Sequence, residues 1–212
     1  MTKVIAFEKY VQQYESWFTR NRWVYEAELR AVKSMMPPRD CGVEIGVGTG
    51  RFAEPLSIKF GLEPSAPMRQ IAKKRGLHLV GGIAEELPFG NSKLDFVLMV
   101  TTVCFVDDIH KSLAEAYRIL ADGGSLIVGL VDSNSPLGQI YRKHQKESVF
   151  YQEATFFSVE EITACMMKAG FTNFAFRQTI FRGLPEITET EPVKCGYGQG
   201  SFVVIRGEKE EY

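Results

Sequence analysis

Apolar side chains change their spacing along the chain near residue 40. Up to that point they recur at intervals of three and four, as on one face of an amphipathic helix. The first such set is Phe7, Tyr10, Tyr14, Trp17 and Phe18, and the second is Tyr25, Leu29, Val32 and Met36. Pro37 and Pro38 then stop helical structure. The pattern predicts an N-terminal helical extension over residues 1–39.

From Cys41 onward, short apolar runs alternate with helical stretches, which is typical of βαβ units on a parallel sheet. The runs predict strands near residues 41–46, 59–63, 77–81, 94–101 and 124–131. Helices are expected to start at Ser65, at Asp107 and at Ser158, where Glu161 completes a capping box. Gly170 is expected to end the last of these helices.

Beyond Gly170, residues 171–181 and 201–206 predict two further strands joined by a long loop. Because no helix separates them, they should pair antiparallel at a sheet edge. These elements predict one α/β domain over residues 40–207. A charged tail, residues 208–212, follows it and is expected to fray.

A glycine-rich loop, with Gly46, Gly48 and Gly50, follows the first predicted strand and is expected to open a helix. Glycines spaced by two allow a sharp turn and let a ligand lie directly against the backbone. A dinucleotide-binding loop needs a small residue where this chain has Arg51, which disfavours NAD and FAD. No lysine followed by serine or threonine completes a nucleoside triphosphate loop either.

An acidic residue, Glu63, ends the second predicted strand and should lie beside the glycine loop. A carboxylate can accept hydrogen bonds from two neighbouring ribose hydroxyls, so we predict that Glu63 anchors a ribose. A glutamate at this place can also serve only to cap the following helix.

Five segments in order resemble the class I S-adenosylmethionine-dependent methyltransferases, in the group similar to small-molecule and quinone C-methyltransferases (methyltransferase type 11). They are Glu44–Phe52, Gly61–Ser65 with Met68, Ala84–Phe89, Asp95–Val97 and Tyr117–Gly124. The resemblance implies a Rossmann-like sandwich with a seven-stranded, mostly parallel sheet in the order 3-2-1-4-5-7-6, strand 7 antiparallel. It also implies an N-terminal helical lid and S-adenosyl-L-methionine as cofactor.

Carried over to this chain, the resemblance places the methionine part of the cofactor at Gly46 and Gly48, the ribose at Glu63 and the adenine near Ala84 and Glu85. The full predicted cofactor-binding set is Glu44, Gly46, Gly48, Gly50, Glu63, Pro64, Met68, Ala84, Glu85 and Thr101. Two departures stand out. Ile83 replaces an aspartate that often bonds the adenine, and residues 101–104 lack the Asn, Asp or His that many relatives carry after strand 4.

Methyl transfer from a sulfonium is an in-line displacement that mainly needs alignment of the reactants. A base matters only for acceptors that arrive protonated. His144, in the aromatic segment 134–157, is the candidate base, although this segment also fits a solvated amphipathic helix. Tyr14 is the second candidate catalytic residue, as part of a lid over the cofactor, and ordinary packing is its alternative.

Composition narrows the classes of partner for this chain of 212 residues. With 25 Lys and Arg against 26 Asp and Glu, the net charge of −1 disfavours nucleic acid. Four dispersed cysteines fit free thiols in a reducing compartment, with no metal site. The longest apolar run, residues 96–106, is about half of the roughly 20 residues that span a bilayer. A cytoplasmic monomer or homodimer that acts on a small-molecule acceptor is expected.

Two other functions remain open at this stage. The absence of acid–base residues after strand 4 allows a non-catalytic S-adenosylmethionine-binding sensor or accessory subunit. An NAD-linked reductase is the third hypothesis, and Arg51 disfavours it.

Overall fold

The computed structural model describes residues 2–38 and 41–211, and one mixed sheet runs through it. Its strands are β1 Gly42–Ile45, β2 Phe60–Leu62, β3 His78–Val80, β4 Leu94–Val100, β5 Leu120–Val131, β6 Thr172–Thr179, β7 Lys194–Cys195 and β8 Phe202–Glu208. Their spatial order is β3-β2-β1-β4-β5-β8-β6-β7. The first five are parallel, whereas β8 is antiparallel to both β5 and β6.

Seven α-helices accompany the sheet in the part of the chain that the structure describes. They are α1 Ile5–Lys9, α2 Val11–Arg20, α3 Arg22–Lys33, α4 Ala66–Lys74, α5 Ile109–Ile119, α6 Pro136–Lys143 and α7 Val159–Lys168. The described N-terminal residues are therefore helical, as the spacing predicts. The proposed domain boundary at residues 39 and 40 lies outside the described residues.

Two hydrophobic clusters lie on opposite faces of the sheet, because successive side chains of a strand point to opposite sides. In β4, Val97 and Met99 belong to one cluster, and Phe96, Leu98 and Val100 belong to the other. Helices α5 and α7 contribute to the first cluster, and α3 contributes to the second. This is the two-faced α/β sandwich predicted from the sequence, so the fold class is confirmed.

The sheet has eight strands among the described residues and not the seven expected. The additional strand is β7, two residues that pair antiparallel with Arg177 and Gln178 of β6 at the sheet edge. The predicted order is otherwise confirmed, since β8 takes the place of the antiparallel seventh strand and β6 that of the sixth. Strand β5 starts at Leu120, four residues earlier than predicted, because Leu120 pairs with Leu94 ahead of a register shift.

The sequence pattern predicts that the glycine loop opens an α-helix. This prediction is wrong. Residues 51–57 form consecutive hydrogen-bonded turns instead. Pro55 lacks the N–H that would bond to the Arg51 carbonyl in a helix. That carbonyl accepts a hydrogen bond from the Tyr25 hydroxyl at 2.5 Å.

Helix ends agree closely with the predicted caps. The Ser65 side chain accepts from the Met68 N–H, and Ser158 and Glu161 form both hydrogen bonds of a capping box. Helix α5 is capped by Asp108 and not by its neighbour Asp107, so that prediction is wrong by one residue.

The predicted fraying tail is ordered where it begins. Strand β8 continues through Glu208, and the buried Lys209 ammonium donates to the Leu120 carbonyl at 2.9 Å. Backbone hydrogen bonds join Lys209 to Gly123 and Gly124. No helix in residues 2–38 or 41–211 combines the length and apolar character needed to cross a membrane.

Removal of the Ser158 hydroxyl tests the capping box. Ser158→Ala should lower the free energy of unfolding by about 1 kcal/mol, because the Glu161 N–H loses its acceptor. Urea denaturation measures this change. Thr163→Ala is the matched control, because the Thr163 hydroxyl only bonds the Val159 carbonyl within the same helix. Equal stability of Ser158→Ala and wild type would contradict this account.

Candidate functional site

A cavity of about 440 Å³ lies between the N-terminal helices and the carboxyl ends of β1, β2, β4 and β5. This is where open α/β sheets bind ligands. Nine of the predicted site residues line it: Tyr14, Gly46, Gly48, Glu63, Pro64, Met68, Ala84, Glu85 and Thr101. The structure therefore brings together most of the residues that the resemblance singles out.

Four N–H groups of the glycine loop donate to acceptors within the protein. Gly46 and Val47 both donate to the Leu62 carbonyl, at 2.8 and 3.1 Å, and Gly50 donates to the Val47 carbonyl at 2.9 Å. Gly48 donates to Glu63 Oε2 at 2.9 Å. A diphosphate is normally bound by free N–H groups at such a turn. These four N–H groups are already used within the protein, so they are not available to a diphosphate.

Glu63 is held in place by two backbone donors. Its Oε2 accepts from Gly48, and its Oε1 accepts from the Ser65 N–H at 2.8 Å. Burial raises the pKa of this carboxyl, and the two N–H groups counteract the rise. Each carboxylate oxygen can accept a second hydrogen bond. Glu63 therefore lines the cavity with acceptor capacity to spare, as a ribose diol would require.

All three loop glycines have left-handed backbones, and a side chain at each would meet different neighbours. A Cβ on Gly48 would lie 3.1 Å from the Tyr14 hydroxyl, over the cavity, whereas a Cβ on Gly46 would collide with Thr102 at 2.5 Å. A Cβ on Gly50 would point at Leu77 and Ala72, outside the cavity lining. A side chain at Gly48 would thus occupy space beneath Tyr14, where a ligand would lie.

Glu44, which was predicted to bind cofactor, does not line the cavity. It is buried within β1, and burial raises its pKa well above the ordinary value, although the Ala53 N–H bonds to it. Its Oε2 has no hydrogen-bond partner among the described residues. The structure thus gives Glu44 a place in the sheet interior, where it accepts from the backbone of the segment that follows the glycine loop.

Residues 83–85, which follow β3, line the cavity together with the segment before α5. Glu85 Oε1 accepts from the N–H groups of Asp107 and Asp108, at 2.7 and 3.1 Å, so Glu85 is committed to the start of that helix. Ile83 and Ala84 line the cavity beside it. The half-exposed Ile83 offers apolar contact where relatives often have an aspartate.

An ion-pair cluster fastens α2 to the glycine loop. Glu15 accepts from the Thr49 hydroxyl, from Arg51 at 2.5 Å and from Arg75 at 2.8 Å. Arg75 also donates to the Thr49 carbonyl at 2.8 Å. These partners lower the pKa of Glu15 even though burial alone would raise it. Sequence reasoning missed Glu15, because its three partners are remote along the chain.

Tyr14 lies above the glycine loop, in a cluster of aromatic rings. It makes edge contacts with Phe7, Phe18 and Phe150, with ring centroids 5.1 to 6.2 Å apart. Burial, reinforced by the charges of Glu44 and Glu63, raises its pKa. Tyr14 therefore presents a neutral phenol to the cavity, in a position suited to a lid.

Residues 101–104, directly after β4, include no carboxylate and no histidine. Thr101 lines the cavity with φ +49°, a left-handed backbone that is unusual for a β-branched residue, and its N–H donates to the Gly129 carbonyl at 2.8 Å. Burial raises the pKa of Cys104 to about 12. A thiol with that pKa is not a nucleophile at neutral pH.

His144 is outside the cavity. Its side chain is 53% exposed and pairs with Glu147 at 2.9 Å just beyond α6, and it does not line the cavity. The alternative interpretation of this segment, a solvated amphipathic helix, therefore describes His144. Tyr141 and Tyr151, from the same segment, do line the cavity.

Glu28 is the functional candidate that sequence reasoning missed. It lies on the buried face of α3 with Val24, Ala27 and Ala31, it is only 6% exposed, and it lines the cavity. Burial raises its pKa from 4.5 to about 8. The prediction placed the buried face of this helix one residue too far along the chain. Tyr25 and Leu29, which it included, are only half-buried. The sequence did contain one signal for this residue: Glu28 lies on the same helix face as Val24, Ala27 and Ala31.

Comparisons with known proteins agree with this geometry. A family model described as a methyltransferase domain, of type 11, matches residues 43–128. A crystal structure from Thermotoga maritima, described as a SAM-dependent methyltransferase and possible histamine N-methyltransferase, is 55% identical and superposes with a TM-score of 0.96. The alignment covers 98% of this chain and 100% of that one.

Two curated relatives extend the comparison. An uncharacterized protein of Methanocaldococcus jannaschii is 41% identical over 204 residues, 96% of this chain and 98% of the relative. The mitochondrial 2-methoxy-6-polyprenyl-1,4-benzoquinol methylase of Xenopus laevis is 32% identical over 134 residues, 54% of this chain and 42% of that enzyme. The chain belongs to the class I S-adenosylmethionine-dependent methyltransferases, and S-adenosyl-L-methionine is its cofactor.

The raised pKa of Glu28 predicts a pH-dependent stability. Between about pH 5 and 8 the unfolded chain has lost the Glu28 proton while the folded chain retains it. The wild-type free energy of unfolding should therefore fall as pH rises through this window, by less than about 1.4 kcal/mol per pH unit. In Glu28→Gln this contribution is absent. Urea denaturation at several pH values across the window measures the difference between the two proteins.

Glu26→Gln is the control for this measurement. Glu26 lies on the same helix, and its hydrogen bonds to Thr190 and Arg30 lower its pKa, so it stays ionised throughout the window. Its substitution should leave the pH dependence as in wild type. Parallel pH dependences of wild type and Glu28→Gln would show that Glu28 is not buried as described.

Proposed function

We propose that this protein transfers the methyl group of S-adenosylmethionine to a small-molecule acceptor by in-line displacement. One observation carries the proposal: a single cavity joins the glycine loop and Glu63 to an apolar, aromatic end beneath the N-terminal helices. Its volume of about 440 Å³ is in the range of small-molecule sites and has to accommodate donor and acceptor together. This size favours a small acceptor.

The residues that would hold the cofactor differ in what they contribute. Gly48 leaves room for close approach, and Glu63 offers free lone pairs to the ribose hydroxyls. Met68 and Pro64 supply apolar contact beside them, and Ile83 and Ala84 supply it for the adenine. When bound, the cofactor supplies a methyl group that is already activated by the sulfonium.

The protein's own contribution is alignment and the exclusion of water. Tyr14 and its ring neighbours cover the glycine loop, and the Glu15 cluster holds α2 in that position. Alignment of two reactants can supply on the order of 7–11 kcal/mol of the barrier in well-oriented systems. His144 takes no part in this proposal. The reaction needs no metal, and no cluster of three metal-binding side chains occurs among the described residues.

The acceptor must be argued from this chain's own cavity. The Thermotoga structure is described as a possible histamine N-methyltransferase, whereas the Xenopus relative is named a benzoquinol methylase, so the relatives' names point to different acceptors. We further propose that the reaction takes place in the cytoplasm, because the four free cysteines suit a reducing compartment. A monomer or homodimer remains our expectation for the assembly.

Closure of the space above Gly48 tests the cofactor site. Gly48→Val should abolish S-adenosylmethionine binding in isothermal titration calorimetry, because its side chain would fill the space beneath the Tyr14 hydroxyl. Gly76→Val is the control, since Gly76 has a similar left-handed backbone and a Cβ added to it would meet no atom within 4 Å. Wild-type affinity in Gly48→Val would refute the placement of the cofactor.

Turnover separates the enzyme from a non-catalytic sensor. Incubation of wild type with S-adenosylmethionine and a panel of small amines, phenols and quinols should release S-adenosylhomocysteine with at least one of them. Mass spectrometry of the products identifies the methylated compound. Binding of the cofactor without turnover on any acceptor would favour the sensor or accessory subunit, and the lack of an acid–base group after β4 is the observation behind that alternative.

A further inference from the structure

We propose that one end of the cavity is an ammonium-binding site, in which Glu28 and the hydroxyls of Tyr141 and Tyr151 bind a cationic amino group of the acceptor. The inference rests on the proposed function, because it specifies the acceptor class for the same cavity. It assigns a binding role to three residues outside the cofactor set.

The three groups face one space from three parts of the chain. Glu28 lies on α3, Tyr141 on α6, and Tyr151 in the segment that follows α6. All three line the cavity, and the two tyrosine rings stack with centroids 5.2 Å apart and planes inclined by 25°. Burial raises the pKa of both tyrosines, and the negative charge of Glu28 adds to the rise, so its carboxylate acts on both hydroxyls.

These polar groups face the cavity without a hydrogen-bond partner among the described residues. Within residues 2–38 and 41–211, neither the Glu28 carboxyl nor the hydroxyls of Tyr141 and Tyr151 bond to another residue. Buried polar groups are normally hydrogen-bonded, since an unpaired one loses its hydration without compensation. The carboxyl of a residue that is only 6% exposed and faces a cavity therefore points to a polar ligand group.

Charge decides which ligand group fits. Lys3 is the one basic side chain among the described residues that line the cavity, and it is used elsewhere: it donates to the Val106 carbonyl and lies 4.0 Å from Asp107. Glu28 thus lacks a cation, and a buried carboxylate without one binds a proton instead. An anionic acceptor would bring a negative charge to a site that offers no cation among the described residues to balance it.

An ammonium group matches this set of acceptors. It carries one positive charge and up to three N–H donors, and the site offers one carboxylate and two phenol oxygens. Apolar and aromatic side chains line the same cavity, among them Trp17, Phe52, Val131 and Phe150. The acceptor that fits is therefore an amine with an apolar or aromatic body.

Proton release distinguishes this binding mode from others. Burial alone raises the pKa of Glu28, and Tyr141 and Tyr151, which face it, stay neutral, so Glu28 holds its proton at pH 7 in the empty cavity. A bound ammonium replaces that proton as the neutralising charge. The other titratable groups lining the cavity are Lys3, Glu8, Tyr14, Glu63, Glu85 and Asp107.

Three probes with the same aromatic body test the site: 2-phenylethylamine, 2-phenylethanol and 3-phenylpropanoate. Each is titrated into protein saturated with S-adenosylhomocysteine at pH 7, in two buffers of different ionisation enthalpy. We expect wild type to bind the amine at least tenfold more tightly than the alcohol or the acid. Binding of the amine should release close to one proton, and binding of the alcohol should release none.

Variants assign the effect to the proposed residues. Glu28→Gln should weaken amine binding at least tenfold, abolish proton release and change alcohol binding less than twofold. Tyr141→Phe keeps the ring and should weaken only the amine, by about threefold to tenfold, as expected for one lost hydrogen bond. Glu26→Gln, on the exposed face of the same helix, should behave as wild type.

The same titration separates failure of this inference from failure of the proposed function. If S-adenosylhomocysteine does not bind, the proposed function is wrong. If it binds and the three probes then bind equally, or none binds, the ammonium site is refuted. Tight binding of the alcohol without proton release would also refute it, and would indicate a neutral acceptor that accepts a hydrogen bond from protonated Glu28. Amine binding and proton release that persist in Glu28→Gln would contradict the assignment to that residue.

Discussion

The hydrogen bond from the Gly48 N–H to the Glu63 carboxylate is the interaction on which the cofactor side depends. It joins the loop after β1 to the end of β2, whose parallel pairing brings the two together. Because Glu63 is almost fully buried, it needs this donor and the Ser65 N–H to compensate for lost hydration. Both donors approach from the protein, so the remaining lone pairs and the bare Gly48 face the same cavity.

The N-terminal helices α2 and α3 are adjacent in the chain and contribute different residues to the cavity. Helix α2 carries Tyr14 over the glycine loop and is tied there by Glu15, which binds donors from the loop and from the end of α4. Helix α3 follows after a single residue and carries Glu28 into the acceptor end. Adjacent elements therefore position Tyr14 over the glycine loop and Glu28 in the same cavity.

Sequence-based predictions were correct mainly where the interaction joins residues that are close along the chain. The Ser65 cap and the Ser158–Glu161 capping box each depend on residues three positions apart, and both were predicted correctly. The expected helix after the glycine loop was wrong, although Pro55 was a visible local signal against it. The two-residue strand β7 could not be foreseen, because it pairs with β6 across a long loop and no local pattern marks it.

Periodicity and caps by themselves predicted the α/β class, because each is a property of a few neighbouring positions. The resemblance carried by five short segments implied the cofactor and most of the residues that line the cavity. Only the tertiary structure decided the acceptor end. Glu28 is chemically ordinary on its helix, and it becomes distinctive because packing removes water from it and leaves it without a cation. His144, which the sequence favoured, remains in solvent. Burial and charge isolation are produced by residues distant along the chain, so local patterns do not report them.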